Sequence, residues 1–249
     1  MAPRPARPAR RLRTAALAVL LLAAGTACGG QQDGAPTAEV AGQSPARDRV
    51  GTLSLHTAQG PRACTASVVQ SPRRNLLVTA AHCVQTRRIG LLDGLVFTPG
   101  YRNGATPYGT WPVQAVTIDP RWAAGDDPEY DVAFVTVGPV DGRQVEDAVG
   151  GNPIGTGQGF GLPVSVTGYP NESDEPITCA VRTRSQSPTQ ERFDCGGYTD
   201  GTSGSPWVTE KGAVVGVIGG YQEGGSTPGT SYSVTFDQRV ADLYRKATT

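Results

Sequence analysis

This sequence has little with which to hold a metal, cross a membrane or grip a nucleic acid. Only two histidines occur, His56 and His82, and no His, Cys, Asp and Glu set falls at metal-ligand spacing, so neither a metal nor another cofactor is expected. Lys and Arg number 22 against 22 Asp and Glu. Residues 1–27 hold five of those arginines and no acid, leaving 17 basic and 22 acidic residues in the remainder. A mildly acidic body argues against a nucleic-acid partner. The apolar run Ala15–Ala24 is ten residues long, about half of what a membrane-spanning helix needs. Long helical patterns are scarce as well, because 33 Gly and 20 Pro interrupt the chain.

What is present reads as strands. Short, turn-bounded apolar runs occur at Ala66–Val69, Leu76–Ala81, Val113–Ile118, Val132–Val137, Val164–Thr167 and Val214–Ile218. Several are rich in Val, Ile and Thr, which favour pleated structure. Phe236–Lys246 is the one good helix candidate in the body. This is an all-β pattern with a C-terminal helix. The glycine-dense Gly155-Thr156-Gly157-Gln158-Gly159 has no Gly-Lys-Ser/Thr continuation, so it reads as a surface connection and not a phosphate loop.

The N-terminus is a separate object. Arg4, Arg7, Arg10, Arg11 and Arg13 precede the apolar run, the layout of an export signal. Arg10-Arg11 alone does not complete a twin-arginine motif. After the run, Gly25-Thr26-Ala27-Cys28-Gly29-Gly30 resembles a bacterial lipobox, in which Cys28 is lipidated and anchors the protein. Gly25 departs from the aliphatic residue usual there, and ordinary signal cleavage is the alternative. Residues 29–48 lack periodicity and read as a flexible tether or a short propeptide. The expected organisation is thus a signal at 1–28, a linker at 29–48 and a domain at 49–249.

The chemistry-bearing residues sit at strand ends. Leu77-Val78-Thr79-Ala80-Ala81-His82-Cys83 sets a histidine beside a cysteine at the end of an apolar run. Tyr130-Asp131-Val132-Ala133-Phe134-Val135 opens another such run with an aspartate, and Gly201-Thr202-Ser203-Gly204-Ser205-Pro206 flanks a serine with glycines. A histidine, an aspartate and a serine in that order are the parts of a nucleophilic triad.

These blocks resemble the chymotrypsin-like (trypsin-fold) serine peptidases, especially the short secreted bacterial ones, over about residues 50–246. The type members of the Ser-His-Asp triad belong to this same family, so the roles are carried over from it. The resemblance implies two six-stranded antiparallel β-barrels with the site between them. Ser203 would be the nucleophile, His82 the base and Asp131 the residue that holds the imidazole. The N–H groups of Gly201 and Ser203 would form the oxyanion hole. It also implies pairing of Cys64 with Cys83 and of Cys179 with Cys195, each bridge worth about 3 kcal/mol in the chain-entropy model. Cys28 is then the odd cysteine of an exported protein. From the residues alone, four cysteines leave three pairings open.

Other titratable residues read as structural. His56 lacks motif context, and Asp126 and Asp127 belong to a solvated loop. Where the family usually has an acid, this chain has Thr202, so activity should not require an N-terminus freed at Val50. A substrate pocket is expected from Gly197, Gly219, Gly220 and Tyr221. Gly197 stands where trypsins carry their pocket aspartate, and Ile218 falls near where glutamate-cleaving relatives carry a histidine. Asp194, Asp200 or Glu223 would supply charge only if a loop were shifted, so small or medium apolar side chains are the expected preference. The whole reads as an exported monomeric serine endopeptidase acting on proteins or peptides, membrane-bound only through its lipid. The rival readings are a catalytically silent peptide-binding module and a serine esterase.

Overall fold

The computed structural model describes residues 1–3, 34–86 and 90–249. The chain divides into two units, Met1–Gly34 and Ala35–Thr249. Of the first, only residues 1–3 and 34 are described, so the expected signal run and Cys28 lie outside the described residues.

The second unit begins with a strand where a tether or propeptide was expected. β1 (Glu39–Val40) precedes β2 (Val50–Leu55), β3 (Arg62–Val69), β4 (Leu76–Thr79), the short hairpin β5 (Gln85–Thr86) and β6 (Gly90–Leu91), β7 (Leu95–Pro99) and β8 (Trp111–Ile118). Then come α1 (Pro120–Gly125), β9 (Ala133–Val137), α2 (Val145–Val149), β10 (Pro163–Gly168), β11 (Ile177–Arg182), β12 (Arg184–Ser185) and β13 (Gln190–Asp194). The chain ends with β14 (Pro206–Thr209), β15 (Val214–Val217), β16 (Thr230–Val234) and α3 (Gln238–Thr248). The helix is the expected one, begun two residues later: Phe236 is buried in the core, and Asp237 caps the helix by accepting from Arg239 N at 2.8 Å.

Six strands close the first barrel in the order β2-β3-β4-β9-β8-β7. The second half is hydrogen-bonded as two sheets, β1-β11-β10-β14-β15 and β12-β13-β16, where a second six-stranded barrel was expected. A bulge at Trp207/Val208 shifts the β14–β15 register. Between β15 and β16 the seam uses a side chain, with Val217 N donating to Ser233 Oγ at 3.0 Å.

Both faces of the barrel strands near the site are buried, which explains their unbroken apolar runs. On β4, Leu77 faces the barrel interior with Val68, Trp111 and Val135. Its neighbours Leu76 and Val78 face the other way, packing with Phe134, Val217, Phe236 and Val240. A third cluster of Val166, Phe193, Tyr198 and Trp207 fills the second half. The first and third clusters are two cores and the second draws strands from both halves. The cleft that holds His82 and Ser203 is lined by Cys64 and Cys83 of the first and by Tyr198 and Ile218 of the third.

Candidate active site

β4 runs into a 3-10 turn, Ala81–Cys83, that carries His82. The turn is pinned by the Cys64–Cys83 disulfide to β3, and a second disulfide joins Cys179 to Cys195. Both pairings agree with those implied by the resemblance.

Asp131 sits just before β9, which pairs with β4, so the sheet itself brings it to His82. Its side chain is wholly buried, against 11% exposure for that of His82. Oδ1 accepts from the His82 backbone N at 2.9 Å, and Oδ2 meets His82 Nδ1 at 2.8 Å. Gly220 N donates to the same Oδ2 at 2.8 Å. Burial alone would push the Asp131 pKa up, but the His82 charge and these donors outweigh it and hold the carboxyl below its ordinary value. Burial likewise disfavours the His82 imidazolium, yet the charge and hydrogen bond of Asp131, with a smaller contribution from Glu223, raise its pKa above the usual value. A buried carboxylate can only accept, so Nδ1 carries the proton and Nε2 is left as the basic nitrogen.

The Gly201–Ser205 loop is braced from several sides. Thr65 N donates to the Ser203 carbonyl at 2.8 Å, and Thr65 Oγ1 donates to the Gly201 carbonyl at 2.9 Å. Gly204 N donates to Ile218 O at 2.7 Å. Gly201 has φ +94°, and a Cβ there would lie 2.4 Å from Asn171 Oδ1, so a side chain is excluded. Thr202 is buried and its Oγ1 donates to Thr199 O at 2.6 Å. Among the described residues, no intramolecular acceptor takes the N–H of Gly201 or Ser203.

His82 and Ser203 line one cleft of about 720 Å³ with Gly201, Thr202 and Cys64. Tyr198, Ile218, Pro228, Ser231 and residues 222–226 also line it, as do Glu172 and Asp200. The four residues expected to form the substrate pocket are placed differently. Gly197 is not among the cleft-lining residues and sits beside Ala38 and Ile177. Gly219 and Gly220 border Asp131, and Tyr221 is 42% exposed with its ring 5.0 Å from that of Tyr232. The backbone turns sharply here, with Gln222 and Glu223 both at positive φ, so the residues after Tyr221 reach the cleft instead.

Other sequence expectations have clear positions. His56 sits at φ +66° in a turn, its N–H donating to Gly94 O. Asp127 caps the turn Pro128–Tyr130 by accepting from Glu129 N, and Asp126 ends α1. Cys64, His82 and Cys83 form a cluster of metal-ligand residue types, but its sulfurs are bonded to each other. Sequence reasoning missed Thr65 and Gln190. Gln190 donates to Pro128 O at 3.0 Å and accepts from Tyr221 N at 3.2 Å, tying the Asp131 approach to the 221–225 turn. Nothing local marks either residue; both act through backbone groups distant in sequence.

The sequence profile of the trypsin-like peptidase domain matches residues 64–217. The thermostable serine protease AL20 from an extremophilic microorganism is 26% identical, with TM-score 0.72 over 82% of this chain and 99% of its own. The protease Anisep from Arthrobacter nicotinovorans is 24% identical, with TM-score 0.71 over 81% and 95%. A Glu endopeptidase bound to MPD is 15% identical, with TM-score 0.70 over 86% and 98%; like Anisep, it is a likeness of fold alone. An extracellular metalloprotease of Bacillus subtilis is 29% identical over 107 residues, 43% of this chain and 33% of its own length, so this chain spans about a third of that relative.

Proposed function

This chain belongs to the trypsin-like peptidase domain family, and on that premise we propose that it is a serine endopeptidase working through an acyl-enzyme. Ser203 Oγ attacks the peptide carbonyl while His82 Nε2 takes its proton. Asp131 fixes the imidazole tautomer and stabilises the imidazolium as it forms. The N–H groups of Gly201 and Ser203 receive the developing oxyanion, where loss of one donor typically costs ~10²–10³ in turnover. His82 then protonates the leaving amine, and water, activated by the same nitrogen, releases the acyl group from Ser203. The observation that carries this reading is the wholly buried Asp131, bonded to both His82 N and Nδ1, with that imidazole and Ser203 lining one cleft.

The two disulfides fit an oxidising, extracellular setting. Lipidation at Cys28 would account for the odd cysteine and tether a monomeric domain to the membrane. Ile218, Tyr198 and Pro228 in the cleft wall support a small or medium apolar residue at the cleavage site.

The test is fluorophosphonate labelling of the folded protein, with Ser203→Ala as control, followed by digestion of denatured casein. Labelling at Ser203 with casein cleavage is the expected result. Labelling without casein cleavage would indicate an esterase, and no labelling of disulfide-intact protein would indicate a binding module.

A further inference from the structure

Gly196 commits both of its backbone polar groups to a segment more than 150 residues away. Ala38 N donates to Gly196 O at 2.8 Å, and Gly196 N donates to Pro36 O at 2.7 Å. The same segment continues as β1, pairing Glu39 with Thr178 and Val40 with Ile177. Ala41 N then donates to Pro176 O at 2.8 Å. Ala41 is wholly buried, and its carbonyl accepts from Arg102, which also pairs with Glu175. Residues 36–41 thus lie across both strands' ends that the Cys179–Cys195 disulfide joins.

What this segment covers leads directly into the cleft. Gly196 and Gly197 are adjacent glycines, a pair with wide backbone freedom unless something restrains it. Gly197 stands at φ +102°, and a Cβ there would lie 3.5 Å from that of Ala38, so the segment rests against bare backbone. The next residue, Tyr198, lines the cleft. Its hydroxyl donates to Val166 O at 2.8 Å and its ring packs edge-on to Phe193 at 5.1 Å. Five residues further on is Ser203. The disulfide anchors the side chain of Cys195, but the partners of the Gly196 backbone come from Pro36 and Ala38.

Resting on the serine-peptidase reading, we propose that Pro36–Ala41 is a positioning strap that sets the Tyr198 wall of the cleft by strand addition, and that the working enzyme keeps it. Any trimming of the chain therefore stops before Pro36. Proline at 38 would remove the N–H that bonds Gly196 O; serine would keep it.

The experiment compares full-chain Ala38→Pro and Ala38→Ser with the parent, well below the unfolding temperature of each. A fluorophosphonate probe separates affinity for the cleft from reaction rate at Ser203, and labelled casein gives kcat/KM. Ala38→Pro is expected to lower both efficiencies about tenfold, mainly through weaker binding, the scale of one lost hydrogen bond. Ala38→Ser should match the parent. An Ala38→Pro protein with a lowered Tm and unchanged efficiencies would overturn the proposal by making the strap merely structural. So would active exported protein whose N-terminus, read by mass, lies beyond Ala41, a result available even if the proline variant does not fold. Absence of parent labelling at Ser203 would sink the peptidase reading instead. The strap would then be judged by hydrogen exchange at Gly196 N, expected slow in the parent; fast exchange there would overturn it.

Discussion

Asp131 holds His82 twice, at its backbone N and at its Nδ1, with distances of 2.9 and 2.8 Å. One carboxylate therefore fixes both the turn that carries the imidazole and the tautomer of the ring. Asp131→Asn would place an amide N–H against groups that already donate, favouring the wrong tautomer. The expected result is a folded protein whose kcat falls ~10⁴-fold, the scale general to such triads. Casein hydrolysis and fluorophosphonate labelling, measured alongside near-UV circular dichroism, check this.

The pH profile should carry the imprint of that pair. His82 must be neutral to accept a proton, and its pKa is raised above 6.5: burial resists the charge, but Asp131 and then Glu223 outweigh it. Activity should therefore rise along an acid limb centred above 6.5. Glu223→Gln removes one raising charge and should move that limb to lower pH, with the plateau rate nearly preserved. Stability follows by linkage. The His82 contribution is complete below 6.5 and is lost as pH rises through its folded value. The Asp131 contribution, from a lowered pKa, is present above 3.8 and is lost as pH falls through its folded value.

Thr202 carries no charge in a position that is 2% exposed, and Val50 N is bonded to Arg47 O within a continuing chain. Protein bearing extra N-terminal residues should consequently be fully active without cleavage at Val50. Thr202→Asp would bury a carboxylate and displace the hydroxyl that donates to Thr199 O. A loss of about 10²-fold in casein hydrolysis is expected from the desolvation of that charge, whereas Thr202→Ser should remain active.

Glu191 is a buried acid outside the cleft, only 2% exposed on β13. Burial lifts its pKa from 4.5 to about 7 despite the Thr183 hydrogen bond. The folded state holds this proton more tightly than the unfolded chain, so stability should fall as pH rises from 4.5 through about 7. The loss across that window is on the order of 3 kcal/mol. Glu191→Gln should flatten it, which thermal unfolding at pH 5 and pH 8 would show.

Much of the first barrel was legible because strands such as β4 and β9 are buried on both faces. Leu76–Thr79 and Ala133–Val137 divide their side chains between two cores, and that requirement writes unbroken apolar runs into the sequence. His82, Asp131 and Ser203 stood out for a related reason, each being tied to a short local pattern at a strand end. Residues 36–41 gave no such signal, since backbone groups dock them and those groups are common to all residues. The same holds for Thr65, whose N–H and hydroxyl brace a loop more than 130 residues downstream.

By itself, the amino-acid order marked several of the segments that become strands, many of the turns and the three side chains that have the chemistry of a triad. These are local matters of side-chain patterning. Only the tertiary structure decided which backbone groups meet: that the strand at 39–40 joins the sheet, that the second half is bonded as two sheets, and that residues 222–226 line the cleft where Gly219–Tyr221 were expected. Those outcomes depend on positive-φ turns and long-range main-chain hydrogen bonds, whose partners no short stretch of sequence encodes.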